Sequence, residues 1–116
     1  MTLATSSKNS SVPAKYRVKY TEAALADVDE IWSYIALHDR TGADLLALKL
    51  EEGISHLERF PNRCPRIPEI VGDDRSYRHF IVGSYRCVFR VEKFTVYVVR
   101  IIHGARLLDV SVLEAD

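Results

Sequence analysis

Residues 82–92 read Val82-Gly83-Ser84-Tyr85-Arg86-Cys87-Val88-Phe89-Arg90-Val91-Glu92 (VGSYRCVFRVE), and their period decides the fold. In a β-strand successive side chains point to opposite faces. That alternation puts Tyr85, Cys87, Phe89 and Val91 on one face and Arg86, Val88 and Arg90 on the other. The first set suits packing beneath another layer. The second is expected to lie on an uncovered face, with guanidinium groups in solvent. Gly83-Ser84 on one side and Glu92-Lys93-Phe94 on the other are turn signals, and the period of two resumes beyond them over 77–82 and 95–102. Three consecutive antiparallel strands are therefore expected. The facing of Arg100 depends on the register of the hairpin around Lys93-Phe94.

Upstream the period changes. Ala24, Val28, Ile31, Trp32 and Ile35 recur at three and four, the stripe of an amphipathic helix. Thr21 supplies the N-cap and Glu22 a negative charge in the first turn. Asp27 and Glu30 are assigned to other faces. After a break at Asp39-Arg40-Thr41-Gly42, a second stripe runs through Ala43, Leu46, Leu50, Ile54 and Leu57 and stops near Phe60-Pro61. So short a connection predicts an antiparallel helical hairpin. Leu45 and Leu48 fall beside this stripe and widen its apolar band. Tyr16–Tyr20 alternates like a short strand. Residues 61–74, with Pro61, Pro65, Pro68 and Gly72, read as a loop, and 107–113 as a short closing helix or strand. The expected class is α+β, in the order β-α-α-β-β-β, with the helical hairpin on one face of an antiparallel sheet. Residues 1–15, rich in Ser and Thr, offer little to bury and read as a flexible tail before one domain at 16–116.

The chain has 116 residues, and its 16 basic and 16 acidic residues cancel, so attraction to a charged partner must come from uneven placement. It is uneven: 75–106 carries Arg75, Arg78, Arg86, Arg90, Lys93, Arg100 and Arg106 against Glu92, whereas the first helix carries Glu22, Asp27, Asp29 and Glu30. Cys64 and Cys87 match no zinc or disulfide spacing, so no metal or other cofactor is expected, and free thiols fit a reducing cytoplasm. No apolar run reaches bilayer-spanning length. No Ser/His/Asp set presents itself. His103 is the one imidazole near the basic strand ends, the side-chain type suited to proton transfer at neutral pH; the alternative is a histidine hydrogen-bonded to a loop carbonyl. Tyr85 and Tyr97 read as packing aromatics, and Gly104 as a residue that accepts positive φ and turns the chain out of its strand.

Four phrases carry a family resemblance: ALADVDEIWSYIA (24–36), LERFP (57–61), VGSYRCVFRVE (82–92) and VVRIIHGAR (98–106). In this order they resemble the ParE-type toxins of the RelE/ParE superfamily, over roughly residues 16 to 110. The resemblance implies the toxic half of a bacterial type II toxin-antitoxin pair. ParE-like members inhibit DNA gyrase, whereas RelE-like members are ribosome-dependent mRNA endonucleases. Cleavage at a 2′-hydroxyl needs an acid, a base and cations at phosphorus. RelE-like toxins place an arginine just before the SYR-like step and a tyrosine or histidine in the C-terminal segment. Here Phe80, Ile81 and Val82 precede Gly83, and LLDVSVLEAD follows Arg106.

The expectation is thus a gyrase inhibitor rather than an enzyme, with Arg86, Arg90, Arg100, His103 and Arg106 facing the target. The alternatives are an mRNA endonuclease built on Arg86, Arg90, His103 and Arg106, or a non-toxic relic that binds antitoxin only. A ParD-like antitoxin is implied as partner in a hetero-oligomer, meeting Trp32, Leu45, Leu48, Arg78 and Arg90. No sequence-specific DNA binding by this chain alone is implied.

Overall fold

The structure, a computed structural model, describes residues 15–67 and 77–104. The elements are β1 (Arg17–Tyr20), α1 (Glu22–Ala36), α2 (Arg40–Leu57), a short 3₁₀ turn (Pro61–Arg63), β2 (Tyr77–Val82), β3 (Tyr85–Glu92) and β4 (Thr95–His103). Residues 1–14, expected as a tail, 68–76 with Arg75, expected as part of a loop, and 105–116 with Arg106 lie outside the described residues.

The α+β class and the element order are as the sequence predicts. Thr21 caps α1 by accepting a hydrogen bond from the Ala24 N–H at 3.1 Å, and its hydroxyl donates to the Val99 carbonyl at 2.8 Å. One side chain thus starts the helix and ties it to β4. α2 begins inside the expected break, because the Asp39 carboxylate accepts from the Gly42 N–H at 2.8 Å and draws Arg40, Thr41 and Gly42 into the first turn.

The sheet has the order β1-β4-β3-β2. β1 lies parallel to β4, with Arg17 opposite Thr95 and Tyr20 opposite Val98, and β2, β3 and β4 form an antiparallel meander. Both meander turns put a positive φ at their first residue, 58° at Gly83 and 55° at Lys93, the geometry of II′ hairpins. Glycine adopts it freely.

The helices cover one sheet face, burying Ala24, Leu50, Ile54 and Leu57 against Val82, Cys87, Phe89, Val96, Val98 and Ile101. The opposite face is not uncovered, which corrects the expectation. Ile67, Tyr77, Val88, Val99 and Ile102 form a second buried cluster there. Residues 65–67 run beside the outer edge of β2, where the Ile67 N–H donates to the Tyr77 carbonyl and the His79 N–H to the Pro65 carbonyl, each at 3.1 Å. That places Ile67 over the face. Arg86, only 6% exposed, is drawn into the covered layer with Val88.

β4 also breaks its own alternation. Its register against β3 shifts between Val88 and Phe89, Val88 lying opposite Arg100 and Phe89 opposite Val98. Val98 and Ile101 therefore both reach the helix-side cluster, and Val99 and Ile102 both reach the second. The bulge inserts one residue into the period of two.

Candidate functional site

The bulge frees Arg100 from the strand's alternation, and its guanidinium reaches Asp27 of α1. Nε donates to Oδ2 at 2.7 Å and Nη2 to Oδ1 at 3.0 Å, while the Ile101 N–H donates to Oδ2 at 2.9 Å. The side chains are only 15% and 11% exposed, and the hydrogen bond to Asp27 pushes the Arg100 pKa further up. Arg100, expected to face a target, is engaged inside the fold, and Asp27, expected on an outer face, is buried. Asp27 stands at helical spacing from Ala24 and Ile31. An acid on an apolar stripe calls for a buried partner, and that signal was present in the sequence.

The other expected guanidinium groups do not converge. Arg90 lies 4.4 Å over the Tyr97 ring and 3.2 Å from the Glu92 carboxylate. Arg78 donates to the Cys64 carbonyl at 2.5 Å. Arg86 and Arg90 are four residues apart along β3, about 13 Å at strand rise.

One small constellation does form at the end of the sheet. Exposed His103 meets half-buried Tyr85 edge-on, with ring centroids 5.6 Å apart. The Gly104 N–H donates to the Ser84 carbonyl at 2.7 Å. Gly104 does not adopt the expected positive φ. It serves close approach instead, since a Cβ there would lie 3.2 Å from the Ser84 oxygen and 3.8 Å from Arg86 Cγ. Tyr85, Arg86 and His103 thus share one corner. Among the described residues no three His, Cys, Asp or Glu side chains gather for a metal.

The apolar band of α2 is where the sequence places it. Leu45 is 53% and Leu48 60% exposed. Trp32 is half-buried, with its indole N–H donating to Asp44 at 3.1 Å and the Arg40 guanidinium 5.7 Å over its ring, so it clasps the two helices together.

A groove that sequence reasoning missed lies beside this band, lined by Lys49, Gly53, His56, Phe80 and Ile81. Gly53 opens it: a Cβ there would sit 2.3 Å from Phe80 Cε1, so the Phe80 ring packs onto the helix backbone and β2 draws close. Ile81 is 62% exposed. Its N–H and C=O point outward like those of His79, and among the described residues no backbone group pairs with them. The hint in the sequence was a glycine inside the second helical stripe.

The chain matches, over residues 18–108, the family model described as ParE toxin of type II toxin-antitoxin system, parDE. Its structure is similar to a chain of the chromosomal ParDE toxin-antitoxin system from P. aeruginosa, with 22% identity and a TM-score of 0.65, covering 77% of this chain and 96% of that one. It is also similar to a chain of the RelBE2 toxin-antitoxin complex from Mycobacterium tuberculosis, with 22% identity and a TM-score of 0.53, covering 77% and 98%. At that identity the likeness shows the fold. Among curated proteins none matches the chain.

Proposed function

Because the chain belongs to the ParE toxin family of type II toxin-antitoxin systems, we propose that it inhibits a gyrase-type topoisomerase and is neutralised by a cognate ParD-like antitoxin in a hetero-oligomer. What supports the choice of target is the family match; the dispersal of the guanidinium groups removes the basic target-facing surface expected from the sequence and weighs equally against a nuclease centre. A nuclease must bring cations, an acid and a base to one phosphate. Arg100 is spent on Asp27 and Arg90 lies against Tyr97 and Glu92.

The antitoxin reading rests on exposed Leu45, Leu48 and Ile81 around the α2–β2 groove. A partner's amphipathic helix fits the leucines, and an extended segment fits the backbone edge at Ile81. The test is a gyrase supercoiling assay with purified toxin in excess, with and without its antitoxin. Supercoiling should be lost and then restored by antitoxin; full supercoiling with active, folded toxin overturns the reading.

A second reading, mRNA cleavage, is favoured by the Tyr85, Arg86 and His103 corner, where an exposed imidazole lies beside a phenol. Burial of Arg86 weighs against it. Primer extension on ribosome-bound message after induction distinguishes the two, since cuts appear only if the chain cleaves message.

A further inference from the structure

The opposite edge of the sheet, around β1, carries a patch that neither reading uses. Three segments meet there. The Tyr16 N–H donates to the Glu58 carbonyl at 2.8 Å, just beyond the end of α2, and the Arg17 N–H donates to the Phe94 carbonyl at 2.9 Å in the β3–β4 turn. The Tyr16 and Phe94 rings are 5.9 Å apart and tilted at 51°. Phe94 is 67% exposed and Phe60 51% exposed; Phe94 meets the Tyr16 ring, and Phe60 lies two residues beyond Glu58, whose carbonyl holds the Tyr16 backbone. Phe94 reaches the core only through Tyr16, and both exposed rings sit next to a cation in sequence, Arg59 before Phe60 and Lys93 before Phe94. Arg17, Lys19, Arg59, Arg63 and Lys93 are all exposed, and the Arg63 guanidinium lies 4.2 Å over the Phe60 ring. Of the nearby acids, Glu58 pairs with Lys15 at 3.7 Å and Glu92 with Arg90 at 3.2 Å, while Glu51 lies close enough to Tyr20 to act on its hydroxyl.

We propose that this edge is a sequence-tolerant platform for single-stranded nucleic acid, on which bases stack against Phe94 and the Phe60–Arg63 pair while phosphates meet Arg17, Lys19, Arg59 and Lys93. Interleaved exposed aromatics and cations are the combination that a flexible strand engages: every base has a face to stack, and the phosphates follow the cations. A duplex hides its base faces, and an acidic peptide would match the cations but leave the rings unexplained. β1 and β2 are the two outer strands of the sheet, so an antitoxin seated in the α2–β2 groove leaves this platform open.

The experiment uses the full chain and fluorescence anisotropy with labelled oligothymidylate and oligouridylate of about twelve nucleotides, a duplex of equal length, and a poly-glutamate peptide. The single strands should bind at least about tenfold more tightly than the duplex, and their affinity should fall about tenfold between roughly 50 and 200 mM salt, as expected for a few phosphate contacts. The double variant Phe60→Ala/Phe94→Ala should weaken binding about tenfold or more with an unchanged salt slope. Arg63→Glu/Lys93→Glu should lower both affinity and slope. These residues are exposed, so a thermal melt by circular dichroism separates lost binding from lost folding. No single-strand binding at the lower salt, equal binding of poly-glutamate, or full binding by folded Phe60→Ala/Phe94→Ala overturns the proposal.

Discussion

Asp27 of α1 and Arg100 of β4, 73 residues apart in sequence, meet in a two-pronged ion pair whose carboxylate also accepts the Ile101 N–H. The pair holds the first helix to the strand at the point where β1 has ended and the bulge has opened the β4 backbone. Removing one partner leaves a charge with little access to water, and the cost of that exceeds the modest net gain of making the pair. Asp27→Ala should destabilise the protein by about 3 kcal/mol, seen as a lower urea midpoint at unchanged m-value. Asp27→Leu/Arg100→Met should lose much less, because no buried charge remains. Equal losses in both variants would show that packing and the Ile101 N–H, which loses its acceptor in both, outweigh the buried charge.

Gly53 opposes two effects. Alanine gains about 1 kcal/mol of helix propensity, but its Cβ would sit 2.3 Å from Phe80 Cε1, and displacing a packed ring costs about 1–3 kcal/mol. Gly53→Ala alone should therefore destabilise. In Phe80→Ala the same change should stabilise, and the sign reversal in a double-mutant cycle checks the contact.

Lys93 holds φ at 55° at the first turn position, which a residue with a Cβ occupies at a cost of about 1 kcal/mol. Lys93→Gly should raise the melting temperature slightly, whereas Gly83→Ala, at φ 58°, should lower it by a comparable step. Calorimetry on the two variants reads both.

Burial raises the thiol pKa of Cys87, and more weakly that of Cys64, where Arg78 opposes it. The native state then keeps the Cys87 proton at pH values where the unfolded chain has lost it. Stability is complete below the ordinary thiol value of 9.0 and declines as pH rises above it. Tyr20, raised chiefly by burial from 10.0, adds a decline in the same direction at higher pH. Denaturation midpoints across this range should fall with pH, and Cys87→Ala should flatten the onset. At neutral pH the folded protein should resist iodoacetamide at Cys87 and react fully once unfolded.

Leu48 and Ile81, both mostly exposed, make few core contacts. Leu48→Glu and Ile81→Glu should leave the melting temperature within about 1 °C, since exposed substitutions move stability little. Each should weaken antitoxin binding by tenfold or more in calorimetric titration. Unchanged affinity in both would move the antitoxin elsewhere.

Most of the architecture was legible because its signals are local. Thr21 caps α1 through its own side chain, α2 repeats at three and four, and β3 alternates at two, so each element is written within a dozen or so residues; in the sequence the Asp39 cap reads as a break. The facing of Tyr85, Cys87, Phe89 and Val91 followed from period alone. The facing of Arg100 did not, because a bulge is a mismatch between two strands and neither strand records it. Asp27 was misassigned for a related reason: its partner lies on an element that only folding brings near. Arg86 was expected in solvent because residues 65–67 look like loop, and nothing local says that they lie along β2 and set Ile67 over the sheet's second face.

The amino-acid order by itself determined the kinds of elements, their succession and the helix-facing side of β3, since these depend on dihedral preference and on the period with which one chain meets an apolar layer. Tertiary structure alone decided which cations remain available, where Asp27 and Arg100 meet, and that Gly53 lets Phe80 shape a groove beside an open strand edge. Those outcomes depend on distances between segments far apart in sequence, and a buried charge or an unfilled Cβ has no meaning until the opposing surface is in place.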